Sequence, residues 1–173
     1  MTERTIEEVM ALAPVIPVLT IERVEDAVPG VGTVTTVDDL NKARAAGAQF
    51  AVSPGFAVDL VEAAAGLPYL PGIATASEAM AAQRAGLSCL KFFPAEAMGG
   101  QSTLQALAGP YPRLIFCPTG GINRDNAAGY LALKNVRCVG GSWVAPNDMV
   151  ATGQWEVISG LAAEAAALAI KAD

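Results

Sequence analysis

The sequence contains no histidine, and this absence narrows the chemistry available to the chain. Ser–His and Cys–His catalysis and histidine-ligated zinc are excluded, together with the side chain that ordinarily titrates near neutral pH. Any reaction must therefore use lysine, carboxylate, hydroxyl or thiol groups. The cysteines number only three and lack metal-ligand spacing, which predicts reduced thiols in a cytoplasmic protein and no metal site.

Positive charge and long apolar runs are also scarce. Lys and Arg total 11 against 17 Asp and Glu, a net charge of −6 over 173 residues, so we predict no nucleic-acid partner. Pro14 and Pro17 interrupt the first apolar segment and Glu164 interrupts the last, which predicts no membrane span and no membrane partner. The first residues do not have the pattern of a signal peptide.

Short apolar segments alternate with alanine-rich helical segments along the chain. Hydrophobic residues make up 53% of the sequence and charged residues 16%, which is enough for one substantial core and predicts a single domain over residues 1–173. The pairs Thr36 with Asp39 and Thr75 with Glu78 predict helix starts. The clearest predicted strands are 15–21, 31–34, 50–52, 89–93, 114–117 and 136–139. Apolar strands alternating with helices indicate a buried parallel sheet and an α/β fold.

The predicted strands end in small residues, proline or threonine, and no GxGxxG turn follows the first strand. Sites built at the carboxyl ends of all strands are typical of a TIM (β/α)8-type barrel rather than of a dinucleotide-binding sheet. The barrel is incomplete, however, because residues 22–30 are too few for the crossover that two consecutive parallel strands require.

Lys91 is the sharpest single candidate for chemistry. It lies within the predicted strand 89–93 between large apolar side chains, where burial lowers the pKa of an amine and makes it nucleophilic. Such an amine attacks a ketone to form a Schiff base, an electron sink for breaking carbon–carbon bonds. The alternative is an edge-strand lysine whose ammonium group reaches solvent.

Paired glycines end the last two predicted strands and indicate a phosphate site. The pairs are Gly120–Gly121 and Gly140–Gly141, the second followed by Ser142. Backbone N–H groups approach an anion closely at such pairs, and the loops after the last two strands form the usual phosphate site of a barrel. The alternative is that both pairs are merely tight turns.

Two further side chains are candidates with strong structural alternatives. Thr33 could direct its hydroxyl to a substrate carboxylate, or simply end a strand as a β-branched residue. Glu96 follows the lysine strand and would lie near the mouth of the barrel, but it is better explained as a carboxylate at a helix N-terminus.

Eight segments together resemble the 2-keto-3-deoxy-6-phosphogluconate and 4-hydroxy-2-oxoglutarate (KDPG and KHG) aldolase family of bacterial class I aldolases. The most specific are the lysine strand continuing as Phe92-Phe93-Pro94-Ala95-Glu96 and the loop Pro118-Thr119-Gly120-Gly121. The others are Val15-Ile16-Pro17-Val18, Gly32-Thr33-Val34, Gly47-Ala48-Gln49-Phe50, Ser53-Pro54-Gly55, Leu70-Pro71-Gly72-Ile73 and Cys138-Val139-Gly140-Gly141-Ser142-Trp143.

The resemblance implies a TIM barrel, commonly a homotrimer, that works without a metal or organic cofactor. Its reaction would cleave KDPG, a phosphorylated keto acid of the Entner–Doudoroff pathway, into pyruvate and glyceraldehyde 3-phosphate. Lys91 would be the Schiff-base lysine. Thr33 and Thr119 would line the pyruvate site beside Phe93 and Pro54. The phosphate would be held by Gly120, Gly121, Gly140, Gly141 and Ser142.

The chain departs from the family between Pro29 and Gly30. A block that the family carries there is missing, and with it the general acid/base glutamate and a substrate-binding arginine. Three hypotheses follow: a Schiff-base aldolase, a non-catalytic or crippled phosphate-binding barrel without that glutamate, and a phosphosugar isomerase-type barrel. Loss of general acid–base catalysis would lower turnover by roughly 10²–10⁴-fold.

Overall fold

The structure, a computed structural model, describes residues 4–19 and 30–168. Eight α-helices are seen in this part of the chain: α1 (Ile6–Met10), α2 (Val37–Ala45), α3 (Val58–Ala63), α4 (Ala76–Arg84), α5 (Gly100–Ala108), α6 (Ala127–Leu131), α7 (Asn147–Ala151) and α8 (Trp155–Ala166). The strands of the same residues are β1 (Val15–Pro17), β2 (Gly30–Val31), β3 (Phe50–Val52), β4 (Tyr69–Leu70), β5 (Gly72–Ile73), β6 (Cys89–Phe92), β7 (Ile115–Pro118) and β8 (Val139–Gly141).

Polar residues at the helix starts explain where several helices begin. Thr36 accepts a hydrogen bond from the Asp39 N–H and the Asp39 carboxylate accepts one from the Thr36 N–H, which confirms the predicted capping pair of α2. Thr75 and Glu78 do the same for α4. Helix α4 leads directly into the lysine strand, so its start helps to fix where β6 begins.

The strands form three short parallel sheets. β1 pairs with β8, β2 with β3 and β3 with β4, and β5 with β6 and β6 with β7. Single bridges from Phe116 to Val136 and from Thr119 to Gly140 join the third sheet to the segment of β8. Parallel pairing throughout confirms the predicted α/β class.

The predicted TIM (β/α)8-type barrel is wrong, because the strands of residues 4–19 and 30–168 do not close into a ring. β1 and β2 are not paired with each other, and nothing in the described chain lies between them to complete the ring that a barrel needs. Pro71, which has no N–H, interrupts the extended segment between β4 and β5 and separates two of the sheets. Residues 20–21 of the first predicted strand lie outside the described residues, as does Pro29.

Alternate residues of β6 face two different apolar clusters. Leu90 and Phe92 belong to the main core, which the helices α4, α5 and α6 cover. Cys89 faces the opposite side and packs in a second cluster with Met10 of α1 and Cys138. Because side chains alternate along a strand, Lys91 faces the same side as Cys89.

No helix among the described residues combines the length and the apolar character needed to cross a membrane.

Candidate active site

Lys91 lies at the centre of the third sheet, between two strands that both pair with β6. Its partners in the register are Gly72 of β5 and Cys117 of β7. The Lys91 N–H donates a hydrogen bond of 2.8 Å to the carbonyl of Pro71, the residue before β5, which fixes the Lys91 backbone beside that strand. The residue is half-buried. An edge-strand lysine, the structural alternative, is therefore excluded.

Lys91 lines a cavity of about 510 Å³. The other lining residues are mainly apolar and include residues of α1, β1 and β2. Thr33, Cys117, Thr119 and Gly140 also line this cavity. Four of the predicted site residues, including Lys91 itself, thus share one cavity. None of the described residues that line it carries a carboxylate.

Burial lowers the pKa of the Lys91 ammonium group, and the neighbouring Cys117 opposes this shift only in part. The amine nitrogen lies 4.4 Å from the centroid of the Phe93 ring, close enough for a cation–π contact while the amine is protonated. A depressed pKa increases the fraction of neutral amine at neutral pH. Lys91 therefore has the environment of a nucleophilic lysine.

Thr33 lines the cavity with a backbone in the left-handed region. Its φ of +60° is the only positive φ of a non-glycine residue in the described parts of the chain. The residue is exposed, and the next residue continues the sheet through a 3.1 Å hydrogen bond from the Val34 N–H to the Val52 carbonyl. A β-branched residue rarely adopts this conformation, which marks Thr33 as a strained position at a candidate site.

Thr119 directly follows β7 and contacts Gly140, the first glycine of β8. Its hydroxyl donates a 3.4 Å hydrogen bond to the Cys117 carbonyl, and only 8% of the residue is exposed. A Cβ added to Gly140 would overlap this hydroxyl. Glycine at position 140 therefore leaves the space that the Thr119 side chain occupies beside the cavity.

Pro54 and Phe93 flank Lys91 without lining its cavity. The Pro54 carbonyl lies directly against Gly72, the residue that pairs with Lys91, and Gly72 donates a 3.3 Å hydrogen bond to the Gly55 carbonyl. Phe93 lies under the amine nitrogen and packs against Gly120. Both predicted neighbours are thus close to the lysine strand.

The remaining predicted glycines lie around the ends of β7 and β8 but not in the cavity. Gly120 and Gly121 have φ values of +97° and +79°, which glycine alone adopts without strain. Gly141 is covered by the indole of Trp143, and a Cβ there would overlap that ring. Ser142 is exposed.

Sequence reasoning missed three features of this region. Cys117 packs in the second apolar cluster and also lines the cavity beside Lys91, which no local pattern indicates. Gly72 was only part of a motif, whereas its missing side chain admits the Pro54 carbonyl. Glu96 begins a single 3-10 turn (Glu96–Met98) and accepts a hydrogen bond from Tyr130, a partner 34 residues away that no local pattern indicates.

The described residues contain no group of three histidine, cysteine, aspartate or glutamate side chains that could hold a metal ion. The three cysteines are buried as free thiols. A half-buried strand lysine beside a cavity, with its pKa lowered by burial, has the properties expected of an enzyme that attacks carbonyl groups with an amine.

Comparisons with known proteins identify the family. The family model "Aldolase: KDPG and KHG aldolase" matches residues 15–161. A 2-dehydro-3-deoxy-phosphogluconate aldolase of Dickeya dadantii is 48% identical over 168 residues, which cover 96% of this chain and 75% of the relative. The crystal structure of a KDPG aldolase from Legionella pneumophila, with pyruvate captured as a covalent carbinolamine, matches at a TM-score of 0.90 and 35% identity, over 95% of this chain and 100% of that one.

The chain belongs to the KDPG and KHG aldolase family. It is an aldolase, a lyase that cleaves a carbon–carbon bond through a lysine Schiff base.

A relative from Treponema pallidum bears on the block missing between Pro29 and Gly30. This 2-dehydro-3-deoxy-phosphogluconate aldolase is 40% identical over 197 residues, covering 91% of this chain and 94% of its own. The match is longer than the 173 residues of this chain, so the relative contains residues within it that have no counterpart here. This agrees with the departure from the family that the sequence indicates.

Proposed function

We propose that this aldolase cleaves KDPG into pyruvate and glyceraldehyde 3-phosphate, and that it also accepts 4-hydroxy-2-oxoglutarate. The observation that carries the proposal is the half-buried Lys91 amine opening into a cavity of about 510 Å³. A keto acid and an aldehyde phosphate are small enough for such a site. The names of the Dickeya dadantii and Treponema pallidum relatives support the phosphorylated substrate.

Lys91 provides the covalent chemistry. Its neutral amine adds to the C2 ketone, and loss of water from the carbinolamine leaves a protonated imine. A water molecule accepts the proton of the C4 hydroxyl, because none of the described lining residues carries a carboxylate, and returns it to C3 in the last step. The C3–C4 bond breaks and its electron pair moves into the imine, which gives an enamine and releases the aldehyde. Protonation of the enamine at C3 and addition of water release pyruvate and restore the amine.

The hydroxyls of Thr33 and Thr119 bind the carboxylate and the C2 oxygen of the keto acid in this proposal. Their common lining of the Lys91 cavity supports it. Phe93 and Pro54 shape the site from beside the lysine strand. Their contacts with the Lys91 amine and with Gly72 support that role.

The substrate phosphate binds to the backbone at the two glycine pairs, Gly120–Gly121 and Gly140–Gly141, with Ser142 as a hydroxyl donor. The left-handed backbone of the first pair and its position at the end of β7 support this assignment. No metal or organic cofactor is required by these steps. The alternative of a non-catalytic phosphate-binding barrel has no support in the comparisons.

The proposal also covers the domain organisation, the cellular location and the oligomeric state of the protein. We assign it as one domain over residues 1–173, supported by the pairing of β1 with the late strand β8. The three free thiols support a cytoplasmic location. The homotrimer is the assembly that the family resemblance implies, and exposed Trp155 and Val157 on α8 are apolar side chains that a subunit contact would cover. Sedimentation should give three times the 17.7 kDa chain mass, and a monomer would contradict the assembly.

Borohydride trapping tests the proposed function. Incubation with pyruvate and borohydride should attach one reduced pyruvate unit to Lys91, located by peptide mapping. Because burial lowers the pKa of this amine, trapping should become faster as pH rises and should level off below the pH expected of an exposed lysine. An adduct on another lysine would overturn the assignment, and absence of KDPG cleavage would overturn the proposed reaction.

A further inference from the structure

The Gly120–Gly121 pair is held in place by the loop that follows the lysine strand. The Ala95 N–H donates a 2.8 Å hydrogen bond to the Thr119 carbonyl, and the Glu96 N–H donates one of 3.1 Å to the Gly120 carbonyl. These two bonds join the loop after β6 to the loop after β7. The conformation of the glycine pair therefore depends on where residues 95–96 lie.

The side chain of Glu96 covers Gly121 and is itself anchored by a buried tyrosine. A Cβ added to Gly121 would lie 2.7 Å from the Glu96 Cβ, so the two residues are in close contact. The Tyr130 hydroxyl donates a hydrogen bond to the Glu96 carboxylate. Tyr130 is fully buried in α6, which makes it a rigid anchor.

Two further contacts complete this arrangement. The side-chain amide of Asn126, which precedes α6, donates a 3.1 Å hydrogen bond to the Gly121 carbonyl. Gly100 leaves space for the bonded pair, since a Cβ there would lie 2.8 Å from the Tyr130 hydroxyl oxygen and 3.3 Å from Glu96 Oε1. Helix α6 thus holds the glycine pair both directly and through Glu96.

We propose that Glu96 and Tyr130 are positioning residues that hold the Gly120–Gly121 loop in the conformation that binds the substrate phosphate. This inference rests on the proposed phosphate role of that loop. Glycine adopts many backbone conformations, so two successive glycines bind an anion well only when their surroundings restrict them. A carboxylate repels phosphate, so its place beside the loop is explained by the hydrogen bond from Tyr130 rather than by its charge.

The variant Tyr130→Phe removes this anchor and keeps the buried ring. The KM for KDPG and the inhibition constant of inorganic phosphate should each rise about tenfold, since a hydrogen bond to a charged group is lost. The kcat should stay within about twofold, because Lys91 is not involved. Half-saturation of pyruvate trapping should not change, since pyruvate carries no phosphate.

Three other substitutions distinguish a positioning role from a general loss of rigidity. Tyr111→Phe is the matched control, because the Tyr111 hydroxyl donates a 2.8 Å hydrogen bond to the Ala76 carbonyl, away from the glycine loop. It should leave every constant unchanged. Glu96→Gln keeps an acceptor for Tyr130 and removes the repelling charge, so its KM and its inhibition constant for phosphate should stay at or below the wild-type values. Glu96→Ala removes the acceptor, so both constants should rise as in Tyr130→Phe.

The outcomes distinguish this inference from the function on which it rests. Weaker binding of both pyruvate and phosphate in Tyr130→Phe, or unchanged phosphate inhibition, would overturn the positioning role alone. A wild-type enzyme that inorganic phosphate does not inhibit would overturn the phosphate role of the loop, and the inference with it. Thermal unfolding of Tyr130→Phe beside Tyr111→Phe shows whether the two variants are equally folded.

Discussion

Replacing Lys91 with methionine should abolish covalent trapping of pyruvate and lower the rate of KDPG cleavage by a factor on the order of 10⁴ or more. Methionine has a similar length but no amine, so neither the carbinolamine nor the imine can form. The fold should persist, because the cavity beside Lys91 is mainly apolar and burial already opposes the charge of the ammonium group. Borohydride trapping followed by mass measurement, together with a coupled assay of pyruvate release, gives both quantities.

Lys134→Met is the matched control for this experiment. Lys134 is exposed in the turn after α6, and its loss should change neither trapping nor cleavage. Normal cleavage by the Lys91→Met protein would contradict the Schiff-base role of Lys91 and would favour the isomerase-type hypothesis that the sequence left open.

Replacing Gly72 with alanine should destabilise the protein by about 2–3 kcal/mol. The new methyl group would overlap the Pro54 carbonyl oxygen and lie 2.8 Å from the Gly55 nitrogen. Both are backbone atoms, so no side-chain rotation relieves the overlap and a strand or loop must move. Because Gly72 pairs with Lys91, the shift should also lower activity. Urea unfolding measures the loss of stability.

Gly55→Ala is the control, in the same turn as Pro54. No heavy atom lies within 4 Å of a Cβ at Gly55, so its stability should stay within about 0.5 kcal/mol of the wild type. Equal stability of the two alanine variants would show that the close approach of Pro54 to Gly72 does not constrain the sheet.

Local patterns predicted most of the strands and the starts of two helices, but not where the strands begin and end. The capping pairs at Thr36 and Thr75 are confirmed, because a hydroxyl and a carboxylate three residues apart satisfy each other's backbone without help from the rest of the chain. The strand predicted at 136–139 lies at Val139–Gly141, and α7 was missed. Its five residues have too little periodicity to be distinguished from a turn.

Sequence alone could indicate those parts of the candidate site that depend on a single residue type in a single segment. A lysine among apolar strand residues is rare, so Lys91 could be singled out from its neighbours alone. The phosphate role of the paired glycines stays a prediction. The Glu96–Tyr130 hydrogen bond and the place of Cys117 beside the cavity were not predictable, because each depends on residues that only folding brings together.

The sequence by itself determined the α/β class, the lysine on a buried strand and the family, since these depend on residue types at short spacing. The tertiary structure alone decided how the strands pair and which side chains meet. Closure of a ring depends on how many strands are present and on which edges find a partner, and β1 and β2 are not paired with each other in the described chain. The space at Gly72 and the anchor at Tyr130 likewise arise from contacts between distant segments, which no local pattern contains.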